Sequence, residues 1–280
     1  MKKYITILTL LLVLLSCGLK QQEETASISV YPSDTISMQY DQDNFYMPTL
    51  SAVVNDSLHF NVFFDTGFPG KYFAASDSIR DLFAGDSASI QIGKQKQQLY
   101  ADFESSRNNI FNVLGKNTII VGREFFENKI IELSFEYRYI LVYEKLPDVT
   151  EYSKTKITLS PHSHLAVPVE IVLQGKIIKD TALIDTGNNG YGSCRTELID
   201  KYGIDTKQVT YHGKSMTSAG LFPAFPLPVD TIKIGDSYIA KQDMRIAVRN
   251  RDANLIGVKT LENFSVILDL KDHNLYLKKN

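Results

Sequence analysis

The sequence predicts an all-β fold of two similar lobes related by a pseudo-twofold axis, with a few short helices. Short runs of Val, Ile, Phe and Tyr recur along the chain and are separated by Gly, Asn or Asp, as in strands joined by turns. The triplet Asp-Thr-Gly occurs at 65–67 and again at 185–187, each time after an apolar run. The surroundings of the two triplets also match, which indicates a duplicated unit.

The segment before each triplet predicts a β-hairpin. The two segments overlay without a gap at an offset of 120 residues, which places Pro48 on Pro168. In each, an apolar strand leads to a polar turn, Asn55-Asp56 or Gln174-Gly175, and a second apolar strand ends at the aspartate. Each aspartate is therefore expected at a turn, from which its carboxylate projects into a cleft.

A second match follows each triplet at an offset of 135 residues. There Ile120-Val121-Gly122 falls on Leu255-Ile256-Gly257, and Leu133 falls on Leu268. Each unit is roughly 100–115 residues long, the size of a small domain rather than of a solenoid repeat. We therefore predict an N-terminal lobe at 45–145, a linker at 146–160 and a C-terminal lobe at 161–280.

The first residues predict export and lipidation. Lys2-Lys3 precede a mostly apolar stretch, Ile5–Leu15, that is too short to span a membrane. Its end, Leu14-Leu15-Ser16-Cys17-Gly18, resembles a bacterial lipobox, whose cysteine becomes the lipidated first residue of the mature chain. We predict a lipoprotein signal peptide at 1–17, acylation of Cys17, and a tether at 18–44 that anchors the protein in the bacterial cell envelope. The alternative is an ordinary signal peptide that contains a cysteine.

Charge and cysteine content restrict the function further. The formal net charge of −2 gives no electrostatic case for binding nucleic acid. Once Cys17 is lipidated or removed, Cys194 is the only free cysteine, so no intrachain disulfide is possible. Cys194 has no accompanying His and Asn arrangement, and we expect it to pack as a small apolar side chain.

Two histidines form a weak candidate metal site. His162 and His164 have the spacing that places two imidazoles on one face of a strand, but no third ligand is evident nearby. We expect them to be solvent-exposed linker residues, and no metal or cofactor is predicted.

The repeated triplet suits a pair of cooperating carboxylates. If Asp65 and Asp185 meet at the pseudo-twofold axis, they share one proton and can activate a water molecule, because two like charges at that distance cannot both ionise. Gly67 and Gly187 allow a tight turn that brings a backbone N–H close to each carboxylate.

The neighbouring motif residues are expected to support this pair. Thr66 and Thr186 can hydrogen-bond across the axis to the opposite loop and so lock the two halves together. Gly122 and Gly257 have no side chain, so a neighbouring strand or loop can pack directly against them.

These motifs resemble those of the pepsin and retropepsin superfamily of aspartic proteases. The apolar strand, Asp-Thr-Gly, the apolar-apolar-Gly motif and a short following helix occur in this order twice, over about residues 45–280. In that family retropepsins are homodimers with one triplet per chain, whereas pepsins fuse two lobes. The resemblance implies a monomeric aspartic endopeptidase in which Asp65 and Asp185 activate water to hydrolyse extended peptides.

Phe68 and Asn188 depart from the family pattern, which has Ser, Thr or Ala after the triplet. A hydroxyl there donates to the outer carboxylate oxygen; Phe68 cannot do this, whereas an asparagine amide is able to. We therefore expect the ionised form of Asp65 to be less stabilised than in a typical member, so that the pair works at higher pH or works weakly. The alternative function is a non-catalytic peptide-binding lipoprotein that has kept the fold.

A single flap over the cleft is predicted from the second lobe. Between Gly187 and Ile232 lie 44 residues, against 22 between Gly67 and Ile90 in the first lobe. The longer segment has small residues at its centre and β-formers at its ends, and Tyr211, His212 and Gly213 are the predicted substrate contacts. The alternative is a surface hairpin without a role in binding.

Three short helices complete the prediction. Two follow the glycines of the second motif, at 123–128 and 258–263. The third, at 195–202, ends at Gly203, which is suited to the C′ position.

Overall fold

The computed structural model of the chain describes residues 29–40, 46–68, 70–83, 85–103, 108–207, 214–217, 220–223, 225–240, 245–249 and 253–280. It confirms the all-β class with few short helices. The strands of the first half are β1 (Asp34–Ser37), β2 (Thr49–Val54), β3 (Leu58–Phe64), β4 (Tyr72–Ala75), β5 (Ser87–Ile92), β6 (Gln95–Asp102), β7 (Thr118–Val121), β8 (Ile130–Ser134) and β9 (Tyr139–Tyr143).

The second half repeats this order with additional strands. They are β10 (Ser153–Lys156), β11 (Thr158–Leu159), β12 (Leu165–Leu173), β13 (Lys176–Ile184), β14 (Gly192–Arg195), β15 (Lys214–Thr217), β16 (Gly220–Pro223), β17 (Phe225–Pro228), β18 (Thr231–Ile234), β19 (Ser237–Ala240), β20 (Arg245–Arg249), β21 (Asn254–Ile256), β22 (Phe264–Asp269) and β23 (Asn274–Lys279). The helices are α1 (Asn108–Leu114), α2 (Thr196–Tyr202), α3 (Val258–Leu261) and the 3-10 helices Asp77–Leu82 and Arg123–Phe126.

Each lobe contains two parallel strand pairs, β3–β7 and β4–β6 in the first and β13–β21 and β14–β20 in the second, and the first of each two carries an Asp-Thr-Gly triplet. In the first lobe, β2, β3, β7, β4, β6 and β5 close into a barrel in which β3 and β7 run parallel. In the second lobe, β13 and β21 form the equivalent parallel pair within a nine-stranded sheet, β17-β20-β14-β21-β13-β12-β18-β19 with β11 beside β12. In both of these pairs one strand, β3 or β13, leads into an Asp-Thr-Gly triplet and the other, β7 or β21, leads into the glycine of the second motif, so the repeat in the sequence is a repeat in the fold.

A six-stranded antiparallel sheet joins the lobes in the order β1-β9-β8-β22-β23-β10. At its centre β8 pairs with β22, and Glu132 lies opposite Ile267. These two residues are separated by the repeat offset of 135, so the pseudo-twofold axis passes between them. The six-stranded sheet therefore has the pseudo-twofold symmetry that the sequence repeat predicts.

One hydrophobic core extends through both lobes beneath the triplets. Phe64 and Val121 of the first lobe and Ile184 and Ile256 of the second belong to the same buried cluster. These are the last residues of the two parallel pairs, and alternation along the strands directs them inward. The turns that carry the aspartates therefore rest on a shared apolar support.

Both predicted hairpins are present. However, the ungapped alignment of the two segments at an offset of 120 residues is wrong for the strands that precede the turns. Three residues separate β2 from β3, whereas Gln174 and Gly175 alone connect β12 to β13. The second hairpin is longer, so Pro168 lies opposite Thr181, whereas the carbonyl of Pro48 accepts from the N–H of Phe64. The two prolines are not structural equivalents, because strand register depends on turn length and not on residue identity.

The predicted tether at 18–44 and linker at 146–160 each contain a strand of the six-stranded sheet. Ile36 in β1 is buried to 5% exposure and lies opposite Ile140 of β9. Within 146–160, β10 pairs with β23. The tether prediction is therefore wrong from Asp34 onward, because alternate residues of this polar segment are buried when β1 pairs with β9.

The helix predictions differ in their success. The helix at 195–202 is confirmed as α2, and Gly203 follows it with φ of 60° in the left-handed region. The other two are shorter than predicted: a 3-10 turn over Arg123–Phe126 and a single α-turn over Val258–Leu261. Helix α1 was not predicted.

Cys194 is buried at 1% exposure, as expected of a residue that packs as a small apolar side chain. Burial raises the pKa of its thiol to about 11, which leaves it protonated at neutral pH.

Among the described residues, none of the helices has both the length and the apolar character of a membrane-spanning segment.

We predict that Ile36→Ala lowers the free energy of unfolding by roughly 2–5 kcal/mol, because it removes a buried side chain from the sheet between the lobes. Tyr31→Ala is the matched control: Tyr31 is 79% exposed and precedes β1, so a change within about 0.5 kcal/mol is expected. Urea denaturation measures both. Equal, small effects would show that this segment is a tether after all.

Candidate active site

Each aspartate is fixed at the end of its parallel strand pair by backbone hydrogen bonds. The N–H of Asp65 donates to the carbonyl of Val121, and the N–H of Asp185 donates to the carbonyl of Ile256, both at 3.0 Å. The chain then turns, because the carbonyl of each aspartate accepts from the N–H three residues later. The two aspartates thus occupy equivalent positions in the two lobes.

The glycines of the triplets bring the two carboxyl groups together. The N–H of Gly67 donates to Asp65 Oδ1 at 2.8 Å, and the N–H of Gly187 donates to Asp185 Oδ1 at 2.9 Å. A methyl group on Gly67 would lie 2.7 Å from Asp185 Oδ1, and one on Gly187 would lie 2.5 Å from Asp65 Oδ2. Each glycine is therefore packed against the carboxyl of the opposite lobe, and no larger residue fits.

Thr66 and Thr186 link the two loops by four reciprocal hydrogen bonds. Thr66 Oγ1 accepts from the N–H of Thr186 at 3.0 Å and donates to the carbonyl of Ile184 at 2.8 Å. Thr186 Oγ1 accepts from the N–H of Thr66 at 2.9 Å and donates to the carbonyl of Phe64 at 2.8 Å. Both threonines are buried. The predicted bonding across the axis is present in both directions, and we call it the threonine grip.

The glycines of the second motif sit directly behind the aspartate loops. A side chain on Gly122 would overlap the carbonyl oxygen of Phe68, and one on Gly257 would overlap the carbonyl oxygen of Gly190. Both glycines have extended φ values, so it is the close approach of the loop, and not the backbone conformation, that requires glycine.

The carboxyl groups of Asp65 and Asp185 interact as a partly buried pair. The pKa of Asp65 is raised well above its usual range, first by burial and next by the charge of Asp185, while a hydrogen bond between the two carboxyls adds to the effect. The N–H groups of Gly67 and Gly187 act in the opposite direction. Two carboxyl groups coupled in this way are expected to keep one proton between them at pH values where a single aspartate is ionised.

The surroundings of the two aspartates differ, as the residues after the triplets predict. Phe68 packs against an apolar cluster that contains Phe63, Phe111 and Ile120. In the second lobe the side chain of Asn188 is buried, its Oδ1 accepts from the N–H of Gly190 at 2.9 Å, and its Nδ2 has no hydrogen-bond partner among the described residues. The donation from Asn188 to a carboxylate is thus not formed in this state.

The second lobe contains the hairpin that the sequence predicts. Strands β15 and β16 pair with each other as a separate two-stranded unit. In the first lobe the 3-10 helix Asp77–Leu82 follows β4 as α2 follows β14, and among the described residues no strand lies between that helix and β5. Tyr211, His212 and Gly213 directly precede β15 and lie outside the described residues, as does Cys17. The role of this hairpin as a flap stays a prediction.

His162 and His164 lie in the turn before β12, with ring centroids 6.4 Å apart. His162 is exposed, as expected, but His164 is partly buried, which the sequence did not indicate. Across the described ranges, no group of three or more His, Cys, Asp or Glu side chains is placed to hold a metal ion.

Contacts between the lobes beside the site were not predicted. Tyr40 donates to Glu262 Oε2 at 2.7 Å, and Lys259 Nζ lies 5.1 Å from the centre of the Tyr46 ring. On the opposite side, Arg123 Nη2 donates to the carbonyl of Ser163 at 2.6 Å. No local pattern in the sequence reports such pairs, since the residues in each are far apart along the chain.

Comparisons with known proteins agree with this geometry at the level of the fold. No family model and no curated protein matches the chain. An aspartic proteinase from Irpex lacteus matches with a TM-score of 0.57 at 12% identity, over 88% of this chain and 97% of that one. A retropepsin-like aspartic protease from Rickettsia conorii matches with a TM-score of 0.36 at 23% identity, over 45% and 91%, and adds nothing to the fold assignment. The chain therefore has the bilobal, pepsin-like acid protease fold.

We predict that Thr66→Val destabilises the protein although it preserves shape. The substitution leaves the N–H of Thr186 and the carbonyl of Ile184 without a partner, at roughly 1–3 kcal/mol for each orphaned buried group. Urea denaturation should show this loss. Thr181→Val, at an exposed position of β13, is the control and should change stability by less than about 0.5 kcal/mol. A loss no larger than that of the control would show that the threonine grip does not hold the lobes together.

Proposed function

We propose that this protein is an aspartic endopeptidase in which Asp65 and Asp185 activate a water molecule to hydrolyse peptide bonds. The observation that supports this most directly is the partly buried, hydrogen-bonded carboxyl pair on the axis between the lobes. A pair with one proton offers a general base and a general acid at the same place, which is what direct attack of water on an amide requires.

The different surroundings of the two aspartates suggest how the roles are divided. Phe68, which follows the first triplet, packs in an apolar cluster, whereas the polar Asn188 follows the second, and apolar surroundings favour the protonated form of a carboxyl group. In the proposed mechanism Asp185 is the ionised partner and takes a proton from the water as the water oxygen attacks the carbonyl carbon. Asp65 donates its proton to the carbonyl oxygen, and the amine leaves after receiving a proton from the pair. No covalent intermediate forms.

The proposed substrate is an extended peptide that lies between the lobes and bonds through its backbone, as in strand addition. The hairpin β15–β16 is proposed to close over it as a single flap from the second lobe and to exclude water. Because one chain supplies both aspartates, the proposed active unit is a monomer.

We also propose that the protein is anchored in the bacterial cell envelope through acylated Cys17. The basic start, the short apolar stretch and the lipobox-like end of that stretch support this. The peptide or protein substrate would then be met outside the cytoplasm.

The second candidate function is that of a non-catalytic peptide-binding protein. The presence of Phe68 directly after the first triplet favours it. Without a hydroxyl beside Asp65, the pair has one donor fewer to stabilise its ionised form. A protein that binds members of a peptide library but cleaves none of them, at any pH between 3 and 8, would favour this candidate.

We predict that Asp185→Asn reduces peptide hydrolysis by about 10²–10⁴-fold or more, the contribution of a positioned general base. Stability at neutral pH should be kept or increased, because the variant removes a like charge from a buried pair. Cleavage of a peptide library followed by mass spectrometry measures activity, and thermal unfolding measures stability.

The control for this variant is Asp236→Asn, an exposed position that should leave turnover unchanged. Wild-type turnover in Asp185→Asn would remove the carboxyl pair from the mechanism.

We predict that Phe68→Ser shifts the basic limb of the pH profile to lower pH. Activity needs one proton on the pair, so it is lost as the pH rises through the raised pKa. A hydroxyl donor to the carboxylate lowers that pKa, and a hydrogen bond of roughly 1.5–3 kcal/mol to a charged group corresponds to about 1–2 pH units. Phe68→Leu, which keeps an apolar side chain, should leave the limb in place. A shift of the same size in both variants would contradict the proposed role of Phe68.

A further inference from the structure

The turn before β12 fastens the second lobe to the first at a place separate from the carboxyl pair. Within the turn, the N–H of Ser160 donates to the carbonyl of His164 at 2.9 Å, and the N–H of His164 donates to Ser160 Oγ at 3.1 Å. Arg123 of the first lobe reaches across and donates from Nη2 to the carbonyl of Ser163 at 2.6 Å. One guanidinium therefore holds the turn.

Arg123 and Glu124 form an ion pair with little access to solvent. Arg123 Nη2 lies 3.0 Å from Glu124 Oε1, and each side chain is 10% exposed. Arg123 Nε and Glu124 Oε2 are buried and have no hydrogen-bond partner among the described residues. The charge of Arg123 is thus neutralised by that of Glu124. A further charge at a site with so little access to solvent is poorly screened.

His164 brings a titratable group to this contact. Its Nδ1 is buried and has no hydrogen-bond partner within the described part of the chain. The charged and titratable groups that act on it are Arg123 from the 3-10 helix of the first lobe and His162 from its own turn; Glu124 balances Arg123. Burial, His162 and Arg123 all lower the pKa of His164, in that order.

We propose that the Ser160–His164 turn is an acid-released latch between the two lobes. While His164 is neutral, the turn offers Arg123 a carbonyl and adds no charge. A proton on His164 places a second cation beside a guanidinium that Glu124 already neutralises, which weakens the bond from Arg123 to Ser163. This inference does not depend on the proposed function.

The latch acts close to the support of the carboxyl pair. Arg123 directly follows Gly122, and Gly122 packs against the carbonyl of Phe68 in the loop that carries Asp65. Release of Arg123 therefore loosens the element behind that loop, while the threonine grip continues to hold the two loops to each other.

The direction of the pH dependence follows from the lowered pKa of His164. Its contribution to stability is fully present above the ordinary histidine pKa of about 6.5. It is lost as the pH falls below that value, because the unfolded chain takes up the proton more readily than the folded one. Each pKa unit of lowering corresponds to a tenfold change in the folding equilibrium constant.

The test is an NMR titration of the two imidazoles in the full chain, combined with amide hydrogen exchange at pH 7.5 and pH 5. We expect His164 to titrate below the ordinary histidine pKa of about 6.5. After correction for the intrinsic pH dependence, exchange at 160–164 and 123–126 should be faster at pH 5 in the wild type. His164→Gln should abolish this difference, whereas His162→Gln, at the exposed neighbouring position, should keep it.

An ordinary or raised titration of His164 in the wild-type protein would overturn the proposal, and this measurement needs no variant to fold. Corrected exchange at the turn that is the same at both pH values would overturn it as well. So would an equal acid-induced increase in His164→Gln, since that side chain cannot take up the proton.

Discussion

The threonine grip is the interaction on which the rest of the site depends. Two carboxyl groups that repel each other stay together in a buried place only if a stiff frame resists their separation. Thr66 and Thr186 supply that frame, because each hydroxyl both accepts a backbone N–H and donates to a backbone carbonyl of the other lobe. The glycines beside them then have no freedom to move away from the opposite carboxyl. The raised pKa of Asp65 follows from burial and, next, from this enforced proximity to Asp185.

The symmetry of the frame and the asymmetry of the site have different origins. The six-stranded sheet and the parallel pairs repeat at fixed offsets, so both aspartates receive the same backbone support. The residues after the triplets are free of that constraint, since neither side chain belongs to the shared core: Phe68 packs against a separate apolar cluster and Asn188 accepts from the N–H of Gly190. Phe68 therefore gives the loop of Asp65 apolar surroundings, whereas Asn188 gives the loop of Asp185 polar ones. The same backbone support thus holds two carboxyl groups whose surroundings differ.

The sequence predicts what local patterns encode and misses what distant pairing decides. The triplets, the hairpins and the helix that ends at Gly203 were predictable because each depends on neighbouring residues. The three-residue slip that moves Pro168 away from the place of Pro48 was not, because turn length sets strand register. Strand β1 is not predictable for a related reason: its four residues are too few to indicate a strand unless their pairing with β9 is known. The contact of Arg123 with Ser163 likewise joins residues with no shared motif.

The central claim is that Asp65 and Asp185 hold a single proton between them. Carbon-13 NMR titration of the aspartate carboxyl carbons, with assignment by Asp65→Asn and Asp185→Asn, tests it directly. We expect two coupled steps for the pair, with one proton retained well above the ordinary aspartate pKa of about 3.9. Either substitution should collapse the two steps into one. Two independent titrations near about 3.9, unaffected by substitution of the other aspartate, would contradict the claim.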